Sequence, residues 1–205
     1  MGKRLRLEAF HGLLGELFSW RIDAFIQDME KHKERGRILA FVRGLRLSAQ
    51  LIYALRNVLP EGRVAVSWGH LLDPNEHLCS PECDVIIHKP EGRIHRWNGM
   101  ENPVMDFSFV SCEAAVAVVS CKSLLSDVGK EYCEKMREYV ENVFLFAECC
   151  RSKDVRRMTQ AAEKAGYSGL CYLYTWEEGG PRAALDEPLL EKFLAKLRDL
   201  ASKVA

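Results

Sequence analysis

The sequence has no uninterrupted apolar run of the length that a membrane-spanning helix requires, which is about 18 residues. Its first residues, 1–6, are basic, but Glu8, His11 and Glu16 follow where a secretory signal would have an apolar core. Both absences argue against a membrane protein and against a secreted one. We therefore expect a cytoplasmic protein with no membrane partner.

The chain also lacks net charge, because 29 Lys and Arg balance 29 Asp and Glu. A molecule without an overall cationic field can bind nucleic acid only through local groups of basic residues. Other basic groups occur at 31–37 and 43–46. The alternative for every such group is a solvated helix face, which is common on protein surfaces. The group that we assign to nucleic-acid binding consists of Arg151, Lys153, Arg156 and Arg157.

A regular cysteine framework is missing as well, although the chain has 8 cysteines. Several of them lie inside apolar segments, where a reduced thiol acts as a small hydrophobic side chain. His77, Cys79 and Cys83 form one loose group, whereas structural zinc sites combine two short spacings to complete a tetrahedron. We therefore do not expect zinc. The sequence also has no Gly-rich phosphate-binding loop.

The apolar residues that are present have a helical period at the start of the chain. With 205 residues, of which 48% are apolar, the chain is long enough to bury one substantial core. Apolar residues between 5 and 29 follow helical spacing and lead into a charged run at 30–37. We predict a helical extension over 1–36 and a single domain over 37–205. The apolar stripe of the extension favours a homo-oligomer.

The remaining pattern alternates between helix and strand. Strands are predicted at 63–68, 83–88, 115–122, 143–147 and 170–175, with brief pairing at 107–110. Helices are predicted at 38–59, 127–140, 154–165 and 188–204, and loops at 92–103 and 179–181. This order indicates an α/β fold in which a mixed central sheet is flanked by helices on both faces.

Two of the predicted strands carry polar residues that an ordinary core strand would not have. Asp84 lies at the start of the strand 83–88, and Lys122 lies at the end of the strand 115–122. Because side chains alternate along a strand, Ser120 and Lys122 share one face and Cys121 points to the other. Asp84 and Lys122 are therefore our candidates for catalytic residues.

These residues carry a resemblance to a known superfamily. The segments Gly44-x-x-x-Ser48, Leu59-Pro60, Gly69, Ser80-x-x-x-Asp84 and Val118-Val119-Ser120-Cys121-Lys122-Ser123 resemble a prokaryotic branch of the PD-(D/E)XK, or restriction-endonuclease-like, nucleases. The resemblance implies an αβββαβ core, here with an N-terminal helical extension and an additional C-terminal α-β-α unit. That branch has Glu at the two positions where this chain has Ser48 and Ser120. We regard both serines as supporting residues of the site.

The resemblance also implies a metal cofactor, Mg²⁺ or Mn²⁺. Asp84 and the backbone carbonyl of Cys121 would be ligands, and Lys122 would orient the attacking water or stabilise negative charge. With Asp84 as the only carboxylate, we expect weak metal binding. Some restriction endonucleases take the missing acid from the following helix. Glu134 is our candidate for this catalytic and metal-binding role, with Glu138 in support, and an exposed helix face is the alternative.

Two functions follow from this interpretation. The first is a divalent-metal-dependent endonuclease that acts on DNA or RNA, in the context of prokaryotic defence. The second is an inactive protein of the same fold that binds nucleic acid or another protein. The first requires a carboxylate close to Asp84, and the second does not.

Overall fold

The computed structural model describes residues 36–97, 107–152, 154–177, 180–182 and 187–204. The predicted extension over 1–36 lies outside these residues except for Gly36, and so does Lys153. Within the described residues, no helix is both long enough and apolar enough to cross a membrane.

The described elements alternate as the hydrophobic pattern predicts. The helices are α1 (Gly36–Val58), α2 (Glu131–Met136), α3 (Val155–Lys164) and α4 (Glu187–Ser202). The strands are β1 (Ala65–Leu72), β2 (Cys83–His88), β3 (Arg93–Trp97), β4 (Phe107–Ser111), β5 (Ala115–Leu125), β6 (Val143–Cys150), β7 (Gly169–Glu177) and β8 (Gly180–Arg182).

All of these strands belong to one sheet with the order β3-β4-β1-β2-β5-β6-β7-β8. The pairs β1–β2, β2–β5, β3–β4 and β7–β8 are antiparallel, whereas β1–β4, β5–β6 and β6–β7 are parallel. The predicted mixed α/β fold is therefore confirmed. The core that resembles a nuclease comprises α1, β1, β2, β5, α2 and β6, with β3 and β4 inserted between β2 and β5.

The sheet separates two hydrophobic cores. On one face, α1 and α4 pack on the sheet, where Leu51 and Phe193 meet Val119 and Phe146. On the other face, α2 and α3 cover residues that include Val118 and Leu145. Apolar side chains on both faces explain why β5 and β6 are continuous apolar runs, as expected of strands that are buried on both sides.

Several predicted boundaries are wrong. The loop predicted at 92–103 contains β3, which pairs with β4, and the loop predicted at 179–181 contains most of β8, which pairs with β7. The helix predicted over 127–140 is limited to α2. β5 continues to Leu125, so Lys122 lies inside the strand and not at its end. Pairing with a neighbouring strand determined each of these strand boundaries, and local sequence does not encode it.

A bulge occurs in β2 beside Asp84. Between the pairs Ser67–Ile86 and Gly69–Cys83, β1 advances by two residues while β2 advances by three. The additional residue therefore belongs to the segment that contains Asp84. Bulges of this kind redirect side chains and are common next to active sites.

Gly69 lies opposite this bulge and has a positive φ of 140°. A Cβ atom at Gly69 would lie 2.0 Å from the backbone oxygen of Ser108 on β4. The parallel pairing of β1 with β4 therefore requires glycine at this position.

We predict that Gly69→Ala lowers the free energy of unfolding by at least about 3 kcal/mol, because it adds a clash with backbone to an unfavourable φ. The matched control is Gly44→Ala in α1, where an added Cβ would contact nothing within 4 Å. The control should gain about 0.5–1 kcal/mol from helix propensity. Urea denaturation of both variants measures the difference, and equal stabilities would contradict the prediction.

Candidate functional site

Asp84 is anchored to the neighbouring strand by one hydrogen bond. Its Oδ2 accepts from the backbone N–H of Cys121 on β5, with 2.8 Å between N and Oδ2. Val85 pairs with Val119, so the next residues along the two strands are Asp84 and Ser120. The bulge and this hydrogen bond together hold the carboxylate against the middle of β5.

The pKa of Asp84 is raised above its usual value of 3.8. The largest cause is burial, which penalises the charged form. The Cys121 N–H and the charge of Lys122 lower the pKa, and the charge of Glu82 raises it. Lys122 itself is exposed, so its ammonium group can meet both Asp84 and a molecule that approaches from solvent.

Ser120 lies between these two residues but is closed off from solvent. It is only 1% exposed, and its Oγ has no hydrogen-bond partner in the part of the chain that the structure describes. A buried hydroxyl without a partner costs about 1–3 kcal/mol.

Ser48 and Cys121 belong to the opposite side of β5. The Ser48 hydroxyl donates to the Gly44 carbonyl, one helical turn earlier in α1, with 2.9 Å between the oxygens. It also lies beside the buried Cys121 thiol, whose pKa burial raises well above its usual value. Since side chains alternate along β5, Ser48 and Ser120 do not face a common space.

Glu134 lies on the exposed side of α2. Its Oε1 is 3.1 Å from Nζ of Lys130, and 58% of its side chain is exposed. Glu138 is exposed just beyond the helix. The charges that shift the pKa of Asp84 are those of Lys122 and Glu82, and Glu134 is not among them. The role of Glu134 and Glu138 as ligand and support stays a prediction.

The donors near Asp84 suit a hard cation only in part. Within the described residues, no three His, Cys, Asp or Glu side chains are grouped so as to hold a metal ion. Oxygen donors are nevertheless present in the Asp84 carboxylate and the Cys121 carbonyl. Mg²⁺ is often held by one or two carboxylates together with water and substrate phosphate. The residues therefore fit a cation that the substrate helps to bind, and do not fit a closed protein site.

Sequence reasoning missed Tyr132, which lies on α2 above the same site. Its hydroxyl is buried without a hydrogen-bond partner of good geometry, and the Cys83 thiol is the polar group beside it. Its pKa is raised well above 10.0, mainly by burial and then by the charges of Cys83 and Asp84. No sequence signal distinguishes Tyr132 from a packing residue.

The described members of the basic group, Arg151, Arg156 and Arg157, follow the carboxyl end of β6. The N–H of Arg151 donates to the Leu125 carbonyl with 2.9 Å between N and O, which places Arg151 at the end of β5. Arg156 and Arg157 are exposed in the first turn of α3. Lys122 lies near the same end of β5, because the strand ends three residues later, at Leu125.

We predict that Asp84→Asn stabilises the folded protein at neutral pH. The folded-state pKa of Asp84 is raised above 3.8, so the protonated carboxyl adds to the free energy of unfolding. This contribution is complete below pH 3.8 and is lost as pH rises through the raised pKa. Asparagine keeps an oxygen acceptor for the Cys121 N–H without the buried charge. Urea denaturation should show a larger gain at about pH 8 than at about pH 4. The matched control Asp127→Asn removes an exposed carboxylate, and an equal effect in both variants would contradict the prediction.

No protein-family model and no curated protein matches this chain. Solved structures do match. NucC from P. aeruginosa ATCC27853 in its cAAA-bound form is 14% identical, with a TM-score of 0.59, and the match covers 96% of this chain and 90% of that one. NucC from E. coli MS115-1, also cAAA-bound, is 13% identical with a TM-score of 0.58, over 97% of this chain and 90% of that one. At this identity the likeness shows the fold alone, and this chain has the nuclease-like α/β fold of NucC.

Proposed function

We propose that this protein is a divalent-metal-dependent endonuclease that acts on DNA or RNA in prokaryotic defence. The observation that carries the proposal is the placement of Asp84 against the Cys121 backbone, within range of the Lys122 charge. A carboxylate and an ammonium on adjacent strands, beside a bulge, match the needs of phosphodiester hydrolysis. The nuclease-like fold that the chain shares with NucC supports it.

In this proposal Asp84 and the Cys121 carbonyl would hold Mg²⁺ or Mn²⁺ when the substrate phosphate is also present. When bound there, the cation would supply Lewis-acid chemistry, namely polarisation of the phosphate and a lower pKa of an attacking water. The Lys122 ammonium stabilises the negative charge that develops on the phosphate or orients the water. Glu134 remains the candidate for a second carboxylate, and this role requires it to leave Lys130.

The basic group extends the proposed contact with nucleic acid. Arg151, Arg156 and Arg157 are exposed beyond the end of β5, and Lys153 is close to them in sequence. Arginine binds phosphate through two parallel hydrogen bonds, which suits a surface that tracks a nucleic-acid backbone. Because the net charge is zero, the proposed binding depends on a local basic group such as this one.

The structural neighbours suggest one further element of the proposal, and the sequence suggests another. Both NucC structures are cAAA-bound, so we include cAAA as an activating ligand in the assays below. We also retain the proposal of a cytoplasmic homo-oligomer that forms through the segment 1–36.

A second candidate is an inactive protein that binds nucleic acid without cleaving it. Two observations favour it. Ser120 takes the position that an acid would occupy, and Glu134 is paired with Lys130 on an exposed face. This candidate function uses the basic group and does not require a bound metal ion.

We predict that the full-length protein cleaves plasmid DNA or structured RNA with Mn²⁺ or Mg²⁺, in the presence or absence of cAAA. Lys122→Ala and Asp84→Asn should each lower the cleavage rate by roughly 100-fold or more, because they remove charge stabilisation and metal binding. Lys135→Ala, which removes an exposed lysine from α2, is the matched control and should retain activity. Gel electrophoresis of the products measures the rates.

The same assay decides the alternatives. A Glu134→Gln variant with full activity would remove Glu134 from the site. Absence of cleavage by the parent protein under all conditions would favour the second candidate. Persistent cleavage by Lys122→Ala would place the activity elsewhere.

We predict that charge reversal of Arg156 and Arg157 to Glu weakens nucleic-acid binding by at least about tenfold at low salt. The slope of log affinity against log salt should fall by about 2, since about 0.9 counterions are released for each phosphate contact. Lys164→Glu combined with Lys192→Glu changes the net charge equally at other exposed positions and is the control. Equal losses in both double variants, measured by fluorescence anisotropy, would contradict a localised binding surface.

A further inference from the structure

Ser80 connects the segment before β2 to the end of β1. Its Oγ accepts from the backbone N–H of Leu71, with 2.8 Å between N and Oγ, and donates to the Pro81 carbonyl with 2.8 Å between the oxygens. The Ser80 carbonyl also accepts from Nδ1 of His70, with 3.3 Å between the atoms. Only 6% of Ser80 is exposed, so water does not replace these hydrogen bonds if they are lost.

The ladder between β1 and β2 ends just before this contact. Its terminal pair is Gly69–Cys83, and the segment before Cys83 leaves the ladder. Leu71 is fully buried, so its backbone N–H and C=O each require a partner. The Cys79 N–H donates to the Leu71 carbonyl with 3.2 Å between N and O, and the Ser80 hydroxyl accepts from the Leu71 N–H. Residues 79 and 80 therefore bind both backbone groups of Leu71 where the strand pairing has ended.

The bulge beside Asp84 consequently lies between two fixed points. On one side of the bulge β2 continues in regular register with β1, and on the other side Ser80 is bound to Leu71. A bulge contains one residue more than the strand opposite, so a shift of the chain by one residue would remove it. Such a shift turns side chains to the other face of the sheet. Asp84 would then lose its hydrogen bond with the Cys121 N–H.

No neighbouring side chain can take over from the Ser80 hydroxyl. The Cys83 thiol is close, with 3.7 Å between its Sγ and the Ser80 Oγ, but sulfur is a weak acceptor. The Cys79 thiol donates to the Leu71 carbonyl and leaves the Leu71 N–H to Ser80.

We propose that Ser80 is a positioning residue for Asp84, because its hydroxyl holds the bulge that directs the Asp84 carboxylate to the Cys121 N–H. Ser80 acts through Asp84 and takes no part in the chemistry itself. Its consequence for catalysis rests on the proposed endonuclease function, whereas its effect on the geometry of Asp84 does not.

The test follows the backbone amide of Cys121 in the full-length protein by NMR while pH is varied. In the parent protein this amide should titrate with the Asp84 carboxylate, to which it donates. Ser80→Ala should abolish the response, and the pKa of Asp84 should rise further because the N–H that lowers it is lost. A purely structural role for Ser80 would lower stability but leave the Cys121 response unchanged, which would overturn the proposal.

Two further variants separate the hydroxyl from the size of the side chain. Ser80→Thr keeps an oxygen acceptor and should show the response of the parent protein. Ser80→Cys keeps the size but provides only a weak acceptor, so the response should be lost even if Ser80→Ala fails to fold. A parent-like response in Ser80→Cys, or a folded Ser80→Thr without the response, would contradict the role of the hydroxyl.

The matched control is Ser108→Ala. Ser108 on β4 is a buried serine beside the same strand, where it pairs with Gly69, but its Oγ has no partner among the described residues. This variant should keep the Cys121 response of the parent protein. Loss of the response in the control as well would reject a specific role for Ser80.

Cleavage assays separate this proposal from the proposed function. If the parent protein cleaves nucleic acid, Ser80→Ala should lower kcat by roughly 10- to 100-fold, as expected when a catalytic group is misplaced by about 1 Å. Loss of the Cys121 response in a protein that never cleaves would support the positioning role and reject the endonuclease. Parent-like cleavage and a parent-like Cys121 response in both Ser80→Ala and Ser80→Cys would support the endonuclease and reject the positioning role.

Discussion

The close approach of β1 to β4 at Gly69 is the constraint on which the candidate site depends. A hydrogen atom in place of a Cβ allows the Ser108 carbonyl to lie where any other residue would clash. Gly69 is also the point at which the register of β1 against β2 shifts, so that β2 contains an additional residue beside Asp84. That residue directs the carboxylate to the Cys121 N–H on the next strand. The geometry of the site is therefore determined two strands away from Lys122.

The site also concentrates groups whose burial is unfavourable. Asp84 carries a charge that burial penalises, and Ser120 and Tyr132 each bury a hydroxyl without a partner. Buried polar atoms without a partner among the described residues also occur outside the site, at Trp68 Nε1 and Ser108 Oγ. The feature that distinguishes the site is therefore the buried Asp84 carboxylate, whose charge is the kind of group expected where function and stability conflict.

Sequence reasoning located the strands that local pattern encodes and missed those that pairing creates. The apolar, β-branched segments of β2, β5 and β6 were predicted because both faces of each strand are buried. β3 reads Arg-Ile-His-Arg-Trp, and β8 contains Pro181, so neither resembles a core strand, and each is a strand because a neighbour pairs with it. An isolated glycine in β1 did offer a signal for the bulge, since glycine inside a strand indicates close backbone approach.

The sequence predicts the features of the site that depend on one strand alone, and not those that depend on packing between elements. Alternation along β5 correctly separates Cys121 from Ser120, because it depends on the strand alone. The position of α2 relative to β5 depends on packing against the core, and this is why Tyr132 was missed and why Glu134 could not be placed. Helical spacing puts both residues on α2 but does not say which of them turns inward. In the structure the tyrosine lies over the site, and the glutamate is exposed.

The exchange of an acid for a hydroxyl changes the order in which a site can assemble. With two carboxylates, a protein attracts the cation first and the cation then attracts phosphate. In the proposed function, Asp84 alone would hold a cation weakly, whereas the exposed Lys122 ammonium would attract the phosphate directly. The phosphate oxygens would then complete the coordination that the described residues lack. Under this proposal, Ser120 in place of an acid makes metal binding conditional on nucleic acid.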